Sequence, residues 1–428
     1  MSIRLFEDFS ISTLFPLTHL HPDFDLRCGI LTGRERVARY FSGEPVALAV
    51  RLGLTDVMAE RSGLRVNGDD APDLYINGAM LLTASIVARL RESRGEDRLF
   101  IAHDRLVAAT VVSEDLRHRL QRWLKSALLR EELSSSTHAP DLQGLGAPMT
   151  AVDATLLRFP WDIIEHNRAM IAADAEFFLP GAVDPRARIS ATAELIHGEG
   201  VSIGAHASIG AGVVLDATDG PIVIHDDVEV MPQAVILGPA FIGAGTRVKV
   251  AAKIYGGSSI GPHCRVGGEI EDSVFHSYAN KQHDGFVGHS YFAPWTNLGA
   301  DSNTSDLKNN YGSIRVTLEG QEYDTGRMFL GTIMADHAKC GINTMFNTGT
   351  TIGVGCNIHG GGFPPKYLPS FSWGGADGLE EYAFDRFRGT ADIVMRRRNR
   401  VLTESEHRLL HDVFATTAAQ RRFASSTP

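Results

Sequence analysis

Read at every sixth residue from position 224, the chain gives Ile224, Val230, Ile236, Ile242, Val248, Ile254, Ile260 and Val266, an unbroken aliphatic row. An amphipathic helix repeats its apolar residues at about 3.6 and a half-buried strand at about 2, so neither accommodates this step. A six-residue step fits short strands that turn a corner after each one, with the aliphatic side chain inward and stacked on its copies in neighbouring coils. Val183, Ile189, Leu195, Ile203, Ile209 and Leu215 form a weaker lead-in, and Met334, Cys340, Phe346, Ile352 and Ile358 resume the step, which leaves an expected interruption over residues 272–330. A glycine follows the inward residue at Gly204, Gly210, Gly243, Gly261, Gly267 and Gly353, where a bend favours the smallest side chain. Such a stack needs capped ends. Residues 403–422 open with a Thr403-x-x-Glu406 capping box and carry Leu409, Leu410, Val413 and Phe414 at helical spacing, which predicts a terminal helix that caps the stack or packs on a neighbouring subunit.

The first 178 residues have no such row. They alternate short apolar runs with helical patterns, as α/β domains do. Strands are expected over 45–50, 74–77 and 99–103, and helices over 34–40, 81–92 and 113–132. Residues 133–150 read as a Ser-, Gly- and Pro-rich loop, and Phe159-Pro160-Trp161 opens a helix through about Asp174. The expected division is an α/β domain over 1–178, a coil domain over 181–375 and a C-terminal extension over 376–428. A formal net charge of −10 on 428 residues argues against a general nucleic-acid binder, which needs a basic face. No run approaches the ~18 apolar residues of a membrane span and the N-terminus lacks a signal-peptide pattern, so a cytoplasmic location is expected. Cys28, Cys264, Cys340 and Cys356 are scattered with no C-x-x-C pair and are read as small core residues.

The run LFPLTHLHPDFDLRCGILTGRER at 14–36 resembles the N-terminus of the sugar nucleotidyltransferases related to the bifunctional N-acetylglucosamine-1-phosphate uridyltransferase and glucosamine-1-phosphate acetyltransferase. Trp161-Asp162 fits the same family. The resemblance continues over most of residues 222–375 through KIYGG at 253–257, NKQHDGFVG at 280–288, NLGA at 297–300, LKNN at 307–310 and PPKYLPSFSW at 364–373. It implies an α/β nucleotidyltransferase-like domain followed by a left-handed parallel β-helix of hexapeptide repeats. It also implies a homotrimer, acetyl-CoA as acyl donor bound between coils, and a sugar phosphate or nucleotide sugar as partner.

In the acetyltransferase half of that family a K-x-x-H-x4-G segment supplies a histidine base, and residues 280–288 align with it, so His283 takes that role by resemblance. Asn297 matches an asparagine that binds substrate, and Ala300 falls where the backbone meets the cofactor. Phe286 stands in place of a tyrosine beside the sugar, Asp306 in place of an asparagine paired with the histidine, and Lys253 in place of an arginine. Glu271 stands where a phosphate-binding lysine is expected, which points to a different substrate. Chemically, an amine attacking a thioester must lose a proton, and an imidazole with an ordinary pKa of ~6.5 is suited to take it. On this reading Asp306 orients His283, while Lys253 and Lys281 neutralise a sugar phosphate.

The nucleotidyltransferase half departs further from its family. The Gly-rich loop that holds a triphosphate is missing. Arg27, Arg34 and Arg36 are the candidates to supply positive charge in its place. Ile76-Asn77-Gly78 replaces the expected Gly-Asp, so the ligands for Mg2+, the partner of a nucleoside triphosphate, are not identified, although Asp73 and Asp104 are nearby carboxylates. Two further patterns are weighed and set aside. Gly257-x-Ser259-x-Gly261 fits a hydrolase motif but lies inside the six-residue repeat rather than on a strand-to-helix elbow. His206, His225, His263, His276, His283 and His289 show no metal-site spacing. Two function classes therefore stand: a transferase acting on a hexosamine phosphate in nucleotide-sugar synthesis, and a non-catalytic trimeric scaffold or sugar-nucleotide sensor that retains the fold.

Overall fold

The structure, a computed structural model, describes residues 2–69, 71–128, 141–178, 180–421 and 423. Its contacts divide the chain into two units, Met1–Leu26 with Leu31–Phe159, and Arg27–Ile30 with Pro160–Pro428. The helix at 160–175 thus groups with the coils, ahead of the change in composition near Pro180-Gly181.

In the first unit, β1 (Ile3–Phe6) is buried along its whole length, which marks a strand covered on both faces. It is followed by α1 (Gly33–Tyr40), β2 (Val46–Ala49), α2 (Thr55–Ser62), β3 (Arg65–Val66), β4 (Leu74–Asn77), α3 (Ala84–Glu92), β5 (Arg98–Ala102), β6 (Arg105–Thr110), α4 (Glu114–Leu128) and β7 (Met149–Ala151). The sheet order is β3-β2-β1-β4-β6-β5-β7. Strands β1 to β4 run parallel, while β6 is antiparallel to both β4 and β5. The expected strands and helices all form, that over 74–77 with the bounds expected and the others with shifted ends. Residues 129–132 of the helix expected over 113–132 and 133–140 of the loop lie outside the described residues. Strand β1 was not among the strands expected from the sequence. Helix α1 starts at a capping box: Thr32 Oγ1 accepts from the Glu35 N–H at 3.2 Å, and Glu35 accepts from the Thr32 N–H at 2.8 Å.

The second unit opens its longest run with α5 (Pro160–Ala175) and continues as a parallel β-helix of stacked sheets. The six-step row splits among three sheets, so every third member returns to the same one. Ile224, Ile242 and Ile260 stack in the first sheet, Val230, Val248 and Val266 in the second, and Ile236 and Ile254 in the third, where Ile270, four residues after Val266 rather than six, takes the next place. These side chains are fully buried, each contributing about 1.5–3 kcal/mol. Ladders of two or three residues gain only ~1 kcal/mol per hydrogen bond, so the apolar stack does most to hold the coils together.

The interruption expected over 272–330 is narrower in the structure. Coils continue through Val274–Phe275, Asn280–Lys281, Phe286–Gly288, Tyr291–Phe292 and Asn303–Thr304. Phe275, Lys281, Val287, Phe292, Leu298 and Thr304 take the inward places. An aliphatic filter missed them because aromatic and polar side chains stand in the stack. The true excursion is closed at its neck by pairing of Leu307 with Phe329 and carries the hairpin Arg315–Leu318 and Gln321–Asp324.

Asn167 on α5 ties the outlying segment Arg27–Ile30 to the coils. Its amide oxygen accepts from the Gly29 N–H at 2.7 Å and from Ser259 Oγ at 3.1 Å, and its nitrogen donates to Gly257 O at 2.7 Å. Gly29 has φ +86°, and a Cβ there would meet Asp174 and Met170 at 2.7 Å, so no other residue fits. At the C-terminal end, α6 (Phe384–Arg396) and α7 (Glu404–Thr416) bring Phe387 and Phe414 edge-on to Phe371, at centroid distances of 5.0 and 5.1 Å. The Thr403 capping box forms as expected, with Arg422 outside the described residues. No helix among the described residues is long and apolar enough to cross a membrane.

Candidate functional site

One outward face of the third coil sheet gathers Lys253, Glu271 and Phe286 of the residues that the resemblance singled out. Register aligns Lys253 with Glu269 and Glu269 with Phe286, and on the next column Glu271 with Gly288. Lys253 is exposed and its ammonium lies 3.5 Å from Glu269, so its charge is matched within the face. The Phe286 N–H donates to Asn303 Oδ1 at 2.8 Å, which ties this column to the strand leading to Asp306. A Cβ on Gly288 would lie 2.2 Å from Asp306 Oδ2 and 2.7 Å from the Phe286 ring, so this glycine is the space into which the carboxylate and the ring fit.

Asp306 pairs with a histidine other than the expected one. Its Oδ2 is 2.8 Å from His289 Nδ1. The His289 ring stacks on Phe329 with centroids 5.1 Å apart, and its Nε2 lies 3.9 Å from Asp272. Asp272 is in turn gripped by Arg168 at 3.2 and 3.3 Å. Burial lifts the nearby Glu271 carboxyl above its ordinary range, and Asp272, Asp306 and Glu269 push the same way against His289.

His283 sits at the corner between the second and third sheets, its side chain exposed. Among the described residues that side chain makes no hydrogen bond or ion pair; its carbonyl oxygen accepts from Lys281 Nζ at 2.5 Å. The corner of His283 and that of Ala300 occupy neighbouring rungs, joined by the Asp301 N–H donating to Asp284 O at 3.1 Å. Asn297 bridges Asn280 and Lys339 on adjacent coils. Lys281 is fully buried, not turned outward to a phosphate: it occupies an inward place in the stack, and its ammonium bonds the carbonyls of His283 and Asp284.

The three arginine candidates are held in internal contacts. Arg27 is buried in the coil unit, where its N–H donates to the Tyr291 hydroxyl at 3.2 Å and its guanidinium bonds Ile30 O and lies over Phe241. Arg36 is 1% exposed and bonds Leu31 O at 3.2 Å. Arg34 pairs with Asp25 at 2.7 Å; burial works against its charge, but Asp25 outweighs it and holds the guanidinium above its ordinary value. Ser259 of the hydrolase-like pattern is buried within its strand and donates to Gly29 O at 2.9 Å. Among the described residues, no three His, Cys, Asp or Glu side chains are grouped to hold a metal ion.

Comparison with known families bears on the first of these regions. Residues 3–182 match the sugar nucleotidyl transferase family. That segment is similar to the sugar nucleotidyl transferase family over less than half of the chain. A bifunctional sugar-1-phosphate nucleotidylyltransferase/acetyltransferase of Sulfurisphaera tokodaii is 26% identical over 152 residues, covering 32% of this chain and 38% of that protein. The match thus spans less than half of that relative. Among solved structures, the UDP-N-acetylglucosamine acyltransferase of Francisella novicida aligns at 13% identity and TM-score 0.25, over 51% of this chain and 74% of that one. That of Campylobacter jejuni aligns at 13% and 0.25 over 58% and 99%. The acetyltransferase domain of PglB from Neisseria gonorrhoeae FA1090, in complex with acetyl coenzyme A, aligns at 13% and 0.15 over 50% and 69%.

In the α/β unit that carries most of this match, the polar centre lies where β1 and β4 end. Asn77 Nδ2 donates to Asp8 Oδ2 at 2.6 Å, and Asp8 Oδ1 accepts from Arg105 at 2.6 Å and from the Ser10 N–H at 2.8 Å. Glu7 pairs with Arg51, and burial drives the Glu7 and Asp23 carboxyls above their ordinary range. Residues bound in this way do not fit Mg2+: the Asp8 carboxylate is already matched by Arg105, and Asn77 Oδ1 accepts from the Ala79 N–H at 2.9 Å. Sequence reading missed Asp8, two residues beyond the end of β1, because β1 itself was not recognised. His289 escaped for a different reason. It was weighed only as a metal ligand, although its place directly after Gly288 in the aligned segment was visible.

Proposed function

We propose that this protein is a sugar-1-phosphate transferase of nucleotide-sugar synthesis whose β-helix moves an acyl group from acetyl-CoA to a hexosamine phosphate. The observation that carries this reading is the convergence of Lys253, Phe286 and Asp306 on one sheet face. The corners of His283 and Ala300 lie on neighbouring rungs beside it. A sugar ring packs against Phe286, the face supplies hydrogen-bonding groups, and the thioester arm of the donor runs past Ala300. Two imidazoles border the face, His283 and His289, and acyl transfer requires one of them as base. The working assembly in this reading is a cytoplasmic homotrimer, with the α/β domain over 1–178, the acyl-transferring coils over 181–375 and the helical extension over 376–428.

For the N-terminal domain a second reading is favoured by the internal pairing of Arg27, Arg34 and Arg36 and by the bonded state of Asp8 and Asn77. It binds a sugar nucleotide without turning it over. The test of both is a thiol-release assay with acetyl-CoA and a panel of amino-sugar 1-phosphates, with pyrophosphate followed in parallel alongside nucleoside triphosphates and Mg2+. Thiol release establishes the acyltransferase. Pyrophosphate release overturns the binding-only reading of the N-terminal domain, and silence in both channels leaves a scaffold or sensor.

A further inference from the structure

We infer that His289, oriented by Asp306, takes the proton of the acceptor in acyl transfer; the inference rests on the transferase reading above. A general base needs a defined tautomer, a fixed orientation and an open lone pair. A carboxylate only accepts, so the 2.8 Å contact from His289 Nδ1 to Asp306 Oδ2 places the proton on Nδ1 and leaves Nε2 with its lone pair. The ring is held by Phe329 stacked on it at 5.1 Å. The backbone is held too, the His289 N–H donating to Glu271 O at 3.1 Å and its carbonyl accepting from the Gly331 N–H at 2.9 Å. The side chain is nevertheless 21% exposed, so Nε2 is not sealed off. His283 has exposure but no such orientation.

The space for the pair is built into the chain. Asp306 fills the volume that any side chain at position 288 would need, and His289 adopts φ +43°, a conformation uncommon for a residue with a Cβ. The charged groups around the ring are Asp306, Asp272 at 3.9 Å from Nε2, and Glu271, with Arg168 paired to Asp272. Three carboxylates beside one imidazole stabilise the imidazolium that forms during reaction.

In the step itself the acceptor nitrogen attacks the thioester carbonyl carbon. The N–C bond forms, the C–S bond breaks, and the proton from nitrogen passes to Nε2. The imidazolium then protonates the departing thiolate, so the products are the acylated acceptor and free thiol, with His289 returned to its starting state. Asp306 touches no reacting atom and acts as a positioning residue.

The experiment uses the full chain with acetyl-CoA and the acceptor that gives most thiol release. Glycine adopts positive φ without strain, so His289→Gly removes the imidazole while leaving the backbone at ease. It is expected to lower kcat by 10²- to 10⁴-fold, the range for loss of a general base, with KM nearly unchanged and with activity partly restored by added imidazole. Asp306→Asn is expected to lower kcat with KM nearly unchanged, because the amide no longer fixes the Nδ1 proton and the ring orientation. A purely structural role would yield no rescue by imidazole. Retention of activity in His289→Gly together with its loss in His283→Ala overturns the inference and leaves the transferase reading intact. Absence of thiol release from the unaltered protein across the panel overturns both.

Discussion

Lys281 occupies, one coil later, the inward rung that Val266 fills in the same sheet. A charged side chain thereby stands in an otherwise apolar stack, and its length is what lets the ammonium reach the carbonyls of His283 and Asp284 at the corner. Burial holds this lysine down to about 8, and holds Lys339 down to about 8 as well.

Lys281→Met is expected to destabilise the protein by about 1–3 kcal/mol, the scale of leaving carbonyl groups unpaired in a buried setting. The deficit has a pH dependence of fixed sign. Between about pH 8 and the ordinary lysine value the unfolded chain holds more protons than the folded one, so the stability contributed by this lysine rises with pH. Urea unfolding of both proteins at pH 7 and pH 9.5 is expected to show the larger gap at pH 9.5; Lys339, present in both, cancels. An equal gap at the two pH values would contradict this account of the buried ammonium.

Gly288→Ala places a Cβ 2.2 Å from Asp306 Oδ2. The carboxylate must swing away and release His289, at a cost in stability of about 1–3 kcal/mol typical of overpacking. Activity is expected to fall as far as it does in Asp306→Asn, measured as thiol release at saturating acetyl-CoA. Unchanged activity would show that the pair does not position the imidazole.

Asn77→Asp sets a second carboxylate 2.6 Å from Asp8 and removes the donor that reaches Leu106 O at 2.9 Å. Two such groups cannot both ionise freely, so a carboxyl pKa rises on folding and the stability it carries is lost as pH climbs through that value. The expected loss is about 1–3 kcal/mol at pH 7 and smaller near pH 4, read from thermal melts. Millimolar Mg2+ is expected to raise the Tm of the variant and leave that of the unaltered protein where it is.

Glu271→Lys reverses the charge beside the face that holds Phe286 and Asp306. For a half-exposed site the gain with an anionic acceptor is on the order of 1 kcal/mol, so KM for a sugar 1-phosphate is expected to fall about 3- to 5-fold relative to the same sugar without phosphate. Parallel kinetics with the two acceptors make the check. No change in their ratio would place the phosphate elsewhere.

The six-residue step by itself determined the β-helix, because inward side chains in a solenoid meet only their own copies and the period is therefore written directly in the chain. The capping boxes at Thr32 and Thr403 are local in the same way; that at Thr403 was read, and that at Thr32 passed unread. What the sequence could not decide was which polar groups face one another across coils. Lys281 was read as a surface ligand although its rung faces inward, since the step that assigns inward places was followed only through aliphatic residues. Asp306 was assigned to His283, the histidine of the aligned motif, yet it lies beyond the next coil and reaches His289. Contacts of that kind depend on how coils stack after an excursion, and on the volume that Gly288 leaves open. They are tertiary distances, which no local periodicity carries.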